Sequence, residues 1–197
     1  MELNAVPILE KYNAPAIIYI TTRFLEKKCE MWWYELQLFI ENNNEINFIY
    51  MDKSYKFKLI SPKEKIKSFK KISLLFKKLK YKEQNDLLQI ITSNIKRTQF
   101  NELLLNKDDL LRLKNSKLIT LGGHTHNHLS LKHLKEHEIL EELKTSKKII
   151  EEIIGKKIDH FAYPYGTKND VGKREMKLVE KSGFLSAVTT QVNIFET

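Results

Sequence analysis

The chain alternates between apolar runs of two kinds, and their periods predict its elements. Val6, Ile8, Leu9 and Tyr12 recur at roughly helical spacing over residues 3–12, until Asn13-Ala-Pro15 breaks the pattern. Ala16-Ile-Ile-Tyr-Ile-Thr-Thr22 has no polar alternation and predicts a strand buried on both faces. Residues 31–40, with both tryptophans, predict an apolar helix whose rings pack in a core or line a groove. Residues 46–50 and 55–60 alternate around Met51-Asp-Lys-Ser54, which predicts a β-hairpin. Ser61-Pro-Lys-Glu64 is a capping-box sequence opening a lysine-rich helix, and a second helix is predicted over about 83–96.

The second half is more regular. Asn106 and Asp109 bracket the start of a helix over 107–114. A strand at 117–121, a long amphipathic helix at about 135–154 ending at Gly155, a strand at 158–163, a helix stopping at Gly183 and a strand at 184–190 follow. Strand, helix, strand, helix, strand is the order of a parallel sheet with helical crossovers, open or closed into a barrel. The fold class is therefore α/β. The length of 197 residues suits one domain, with the hairpin and its two helices as an insertion at about 42–105.

Composition narrows the chemistry. With Cys29 the single cysteine, no internal disulfide or thiolate cluster can form, so a metal must use His and carboxylate ligands. The formal charge of +9 comes almost wholly from lysine, and lysines crowd between Lys53 and Lys82, a pattern usual for a solvated helical face. No zinc finger, RNA-binding signature or arginine-rich helix points to nucleic acid. No apolar run reaches the roughly 20 residues of a transmembrane helix.

Three of the six histidines fall within five positions, His124, His126 and His128, after the Leu121-Gly-Gly strand end. Ends of strands are where parallel α/β folds collect working residues. An extended chain would put all three rings on one face. A helical turn permitted by Gly122-Gly123 would make His124 and His128 neighbours and send His126 elsewhere. The second arrangement is favoured, with His124 and His128 as a metal pair, while a His124–His126 pair of the cupin or amidohydrolase kind is the rival. Asp159 and Asp170 are third-ligand candidates by position, but both suit solvated carboxylates better.

These segments resemble the polysaccharide deacetylase (NodB-homology, carbohydrate esterase family four) proteins. His124-Thr-His-Asn-His128 is similar to the family's second motif, and Phe161-Ala-Tyr-Pro-Tyr-Gly166 to its third motif in one large subgroup. Lys181-Ser-Gly-Phe-Leu-Ser-Ala-Val-Thr-Thr190 and Ala5 to Tyr19 also look like family segments; the likeness covers about residues 3–40 and 105–192. It implies an incomplete, irregular (β/α) barrel and metal-assisted removal of acetyl groups from amino sugars of an acetylated polysaccharide or oligosaccharide. It further implies a divalent metal, zinc above all, held by His124 and His128. Thr125 would support the loop, Tyr165 would offer its backbone N–H to the oxyanion, and Tyr163 and Pro164 would shape the sugar groove. The family's Asp-Asp-Gly motif, source of the third ligand and the base, is absent from these residues, as is the Leu-x-x-His motif carrying the acid. A central fragment with impaired catalysis is the expectation, and a non-catalytic carbohydrate-binding remnant is the alternative.

Overall fold

The computed structural model describes residues 5–27, 31–92 and 101–191. In chain order the elements are α1 (Ala5–Lys11), β1 (Ala16–Ile20), α2 (Trp32–Asn42), β2 (Glu45–Tyr50), β3 (Lys53–Lys58), α3 (Pro62–Phe76) and α4 (Tyr81–Ile91). They continue with α5 (Lys107–Leu113), β4 (Ile119–Gly123), α6 (Glu136–Ile154), β5 (His160–Ala162), α7 (Lys173–Lys181) and β6 (Ser186–Val188). Beside the expectation of one domain with an insertion at about 42–105, the chain has two compact units: Glu30–Phe100, and the segments on either side of it together. The division starts before residue 42, because α2 packs against α3 and α4. The predicted end of α4 near residue 96 lies outside the described residues.

The unit built from both chain ends is the partial (β/α) fold. Its parallel sheet has the order β1-β4-β5-β6, so β4 and β5 are central. Ala16 pairs with Ile119, Gly123 with Phe161 and His160 with Ser186. Ile119, Leu121 and Phe161 are buried, as are Ile139, Leu143, Ile150 and Ile154 of α6, which follow the helical period. Gly155 ends α6 with φ of 72°, a left-handed value that suits glycine. β1 departs from the expectation of burial on both faces: among the described residues it pairs with β4 alone, and Ile17 is 41% exposed. Pairing, which composition does not show, decides how much of such a strand is covered.

Among the described residues the Glu30–Phe100 unit is a hairpin with three helices. Phe48 pairs with Tyr55 across β2 and β3, rings stacked at 4.8 Å. Ser61 and Glu64 form the predicted capping box of α3. Trp32 is buried and stacks on Phe76 at 4.3 Å, which assigns that tryptophan to the core.

Candidate active site

The site lies where β1, β4 and β5 end. Beyond the last paired residues the chain keeps bonding: the His124 N–H donates to the Ile20 carbonyl at 3.0 Å, the Thr22 N–H to Thr125 at 3.3 Å, and the Arg23 N–H to His126 at 3.0 Å. The Thr21 hydroxyl donates to the His124 carbonyl at 3.1 Å. The histidine loop is thus stitched to the residues after β1.

Gly122 and Gly123 do not bend the chain as expected. Both lie within β4, and their role is space. A Cβ on Gly122 would stand 2.7 Å from the Tyr19 ring and 2.8 Å from the His160 carbonyl oxygen; one on Gly123 would stand 3.2 Å from Phe184. Nor does a helical turn follow. Thr125 and His128 instead adopt left-handed φ values of 65° and 59°. For a β-branched residue that conformation is rare and costs strain, which clusters at functional sites. It is held here because Thr125 is fully buried and its hydroxyl accepts the His128 N–H at 3.0 Å.

This loop brings His124 and His128 together, with ring centroids 4.9 Å apart at 67°. His124 Nδ1 donates to the Ala162 carbonyl at 2.7 Å. A carbonyl can only accept, so Nε2 of the neutral ring carries the lone pair. His128 stacks beside Phe24 at 6.1 Å and meets the Tyr165 ring edgewise at 5.2 Å. Burial lowers the His124 pKa against the opposing Ala162 bond. Burial, helped by His124, lowers that of His128 to about 3. Both rings are therefore neutral at pH 7. His126 stands apart from the pair: its Nδ1 is 2.8 Å from the Thr22 hydroxyl. Burial, and secondarily Arg23, lowers its pKa although Glu142 opposes the shift.

Tyr165 occupies a tight turn. The Gly166 N–H donates to Pro164 at 2.8 Å around Tyr165, whose φ is 64°, a γ-turn of the rarer positive-φ kind. Thr190 pins it: its hydroxyl donates to the Tyr165 carbonyl at 2.8 Å, and its N–H to Gly166 at 3.0 Å. Tyr163 and Pro164 are buried beneath. The Tyr163 ring lies edge-on to Phe161 at 5.2 Å, and burial together with Glu175 raises its pKa to about 12.

Three carboxylates frame the site, and two of them, Glu142 and Glu175, escaped the sequence reading. Glu142 of α6 is 7% exposed and accepts the N–H groups of His126 at 3.0 Å and Asn127 at 2.8 Å, as well as the Asn127 side chain. The Asn127 side chain also accepts from Arg23. Asp170 is not solvated as expected: it is 3% exposed and accepts from the Thr167 N–H at 3.2 Å, the Thr167 hydroxyl and Ser130. It thereby joins the exits of both motif loops. Glu175 is fully buried, accepts the Gly172 N–H at 2.7 Å, and pairs with Arg174. Asp159 is half-buried, and its carbonyl accepts from Leu185 and Ser186.

Two neutral imidazoles, one with its Nε2 fixed as an acceptor, suit two positions of a divalent-metal site. Among the described residues no group of three His, Cys, Asp or Glu side chains converges. Asp170 and Asp159 thus do not complete the pair. Also among the described residues, no helix is long and apolar enough to cross a membrane.

Comparison with known proteins bears on the fold and the family. The deacetylase domain of BpsB from Bordetella bronchiseptica superposes with a TM-score of 0.56 at 14% identity, over 97% of this chain and 60% of that one. A de-N-acetylase from Aggregatibacter actinomycetemcomitans gives 0.50 at 13% identity, over 95% of this chain and 57% of that one. At such identity the likeness concerns the fold, and the chain spans about six tenths of either structure's length. No curated protein sequence matches the chain. The polysaccharide deacetylase family model matches residues 71–182, more than half of the chain and both motif loops, and the chain belongs to that family.

Proposed function

We propose that this chain carries part of the centre of a metal-dependent deacetylase that removes acetyl groups from amino sugars of a polysaccharide. The observation carrying the proposal is the convergence of the His124 and His128 rings beside the Tyr165 turn. His124, through Nε2, and His128 would hold a divalent cation of the kind imidazole suits, zinc in this reading. Such a cation polarises an acetyl carbonyl and activates water. The chain's own part is positional. Thr125 fixes the loop through its hydroxyl, and Ala162 sets the His124 tautomer. The Tyr165 backbone N–H, presented by the γ-turn, would stabilise the oxyanion, and Tyr163 and Pro164 would shape the sugar groove from below.

No Asp-Asp-Gly occurs in these residues. Without that base the chain by itself should turn over slowly, since general acid and base groups each contribute roughly 10²–10⁴-fold. The test is acetate release from N-acetylglucosamine oligomers with zinc and with a chelator. Slow, chelator-sensitive release that His124→Ala abolishes supports the proposal; release indifferent to chelator overturns it. Among the described residues no third ligand converges on the pair, and a second reading is a non-catalytic carbohydrate-binding remnant. Oligomer binding unaffected by metal or by His124→Ala, without acetate release, would select it.

A further inference from the structure

The segment from Lys53 to Lys82 holds twelve lysines, one carboxylate (Glu64) and no arginine, so it carries more positive charge than the whole chain's net +9. The carboxylate is engaged: Glu64 accepts the Ser61 N–H at 2.9 Å and its hydroxyl at 3.0 Å as the cap of α3. Where α3 packs along β3, a groove of about 180 Å³ forms. Lys56 and Lys58 line one wall, Lys67 and Lys71 the other, with Glu64 and the buried Ser68 between them. All four lysines are exposed, and among the described residues no ion pair joins them to a carboxylate. Four ammonium groups facing across one channel repel one another, and a polyanion lying between them relieves that repulsion.

We propose that this groove binds a glycan chain bearing carboxylate groups on its sugars, as a holding surface separate from the histidine loop. Three features select that partner. Lysine ammonium groups are mobile point charges suited to anions spaced along a flexible polymer. Arginine, the usual fork for nucleic-acid phosphates and guanine edges, does not occur between residues 31 and 92. The exposed apolar side chains of α3, Ile66 and Leu74, do not line the groove, and Phe57, the apolar residue that does, is half-buried on β3, so the groove offers a bilayer no exposed apolar anchor. The choice of a glycan among polyanions rests on the deacetylase reading; the groove itself does not.

The test is fluorescence anisotropy of a labelled alginate oligosaccharide, a polyuronate, titrated with the full chain at low and near-physiological salt. The expected result is saturable binding that weakens with salt. Lys56→Gln, Lys58→Gln, Lys67→Gln and Lys71→Gln combined should lower affinity roughly tenfold or more, as removal of several clustered ion contacts does. The same number of changes at the exposed Lys144, Lys156, Lys157 and Lys177, which do not line the groove, should leave it within about twofold. Four Lys→Arg changes in the groove keep the charge and should keep binding, which separates charge loss from misfolding. Absent binding, equal loss in the variant outside the groove, or tighter binding per charge to single-stranded DNA or phosphatidylglycerol vesicles would overturn the proposal. His124→Asn should bind alginate like the parent, so failure of the deacetylase reading remains distinguishable.

Discussion

The Nδ1 of His124 donates to the Ala162 carbonyl at 2.7 Å, so the end of β5 decides which nitrogen of a β4-loop histidine is left to act. Asparagine places its amide nitrogen near Nδ1 and offers nothing at Nε2. His124→Asn should therefore keep the bond to Ala162, and with it the fold, while losing the ligand. Zinc titration calorimetry should show affinity falling by about 100-fold or more, beyond the 10–100-fold usual for supporting residues. His126→Ala, whose ring bonds Thr22, should stay within about threefold on the same reasoning. Metal loss on His126→Ala with His128→Ala tolerated would reverse the ligand assignment.

Glu142 anchors the same loop from α6. Replacing it with alanine strands the N–H groups of His126 and Asn127, which it accepts at 3.0 and 2.8 Å. Losing a partner for a desolvated donor costs about 1–3 kcal/mol, so with two such donors Glu142→Ala should lower the unfolding free energy by roughly 2–6 kcal/mol. Both N–H groups bond the same carboxylate oxygen, so Glu142→Gln, with its amide oxygen there, should lose less. Urea unfolding measures both. An unchanged midpoint in the alanine variant would mean that water replaces the carboxylate.

The nearness of His124 and His128 is legible in the sequence, but its cause is not. A helical turn would pair them, whereas they meet through left-handed backbone at Thr125 and His128. Residue preferences argue against that conformation at threonine, so only tertiary context could reveal it. The caps at Ser61–Glu64 and Asn106–Asp109 were legible because they are local bonds with fixed spacing. Glu142 was missed as one glutamate among many on an amphipathic helix. Its place beside Ile139, Leu143 and Ser146, all buried, is the signal that a carboxylate had entered the core face. Asp170 was misjudged because burial of a loop carboxylate depends on partners distant in sequence, here Ser130.

Gly122 is a test of close approach rather than of backbone freedom. Alanine there would press its Cβ to 2.7 Å from the Tyr19 ring and 2.8 Å from the His160 oxygen, forcing β1 and β5 to shift. Overpacking of this kind costs about 1–3 kcal/mol. Gly155→Ala meets nothing within 4 Å and bears only the penalty of a φ of 72°, about 1 kcal/mol. Gly122→Ala should also reduce zinc affinity, because His124 follows directly on β4; Gly155→Ala should not. Equal effects of the two on metal binding would show that the glycine pair does not position the loop.

Acid should destabilise the chain through its buried imidazoles. The folded-state pKa of His128 is lowered from 6.5 to about 3 by burial and by His124, and that of His124 is lowered by burial. Between those values the unfolded chain binds more protons than the folded one, so stability rises with pH across that window. It is fully present above about pH 6.5. It is lost progressively as pH falls toward 3, the His128 share being of the order of a few kcal/mol. Urea midpoints taken at neutral pH and near pH 5 in chelator should differ accordingly. His128→Phe fills the same space without a titrating ring and should flatten the dependence. A midpoint that rises on acidification, or a slope untouched in His128→Phe, would mean that these rings are not buried as neutral groups.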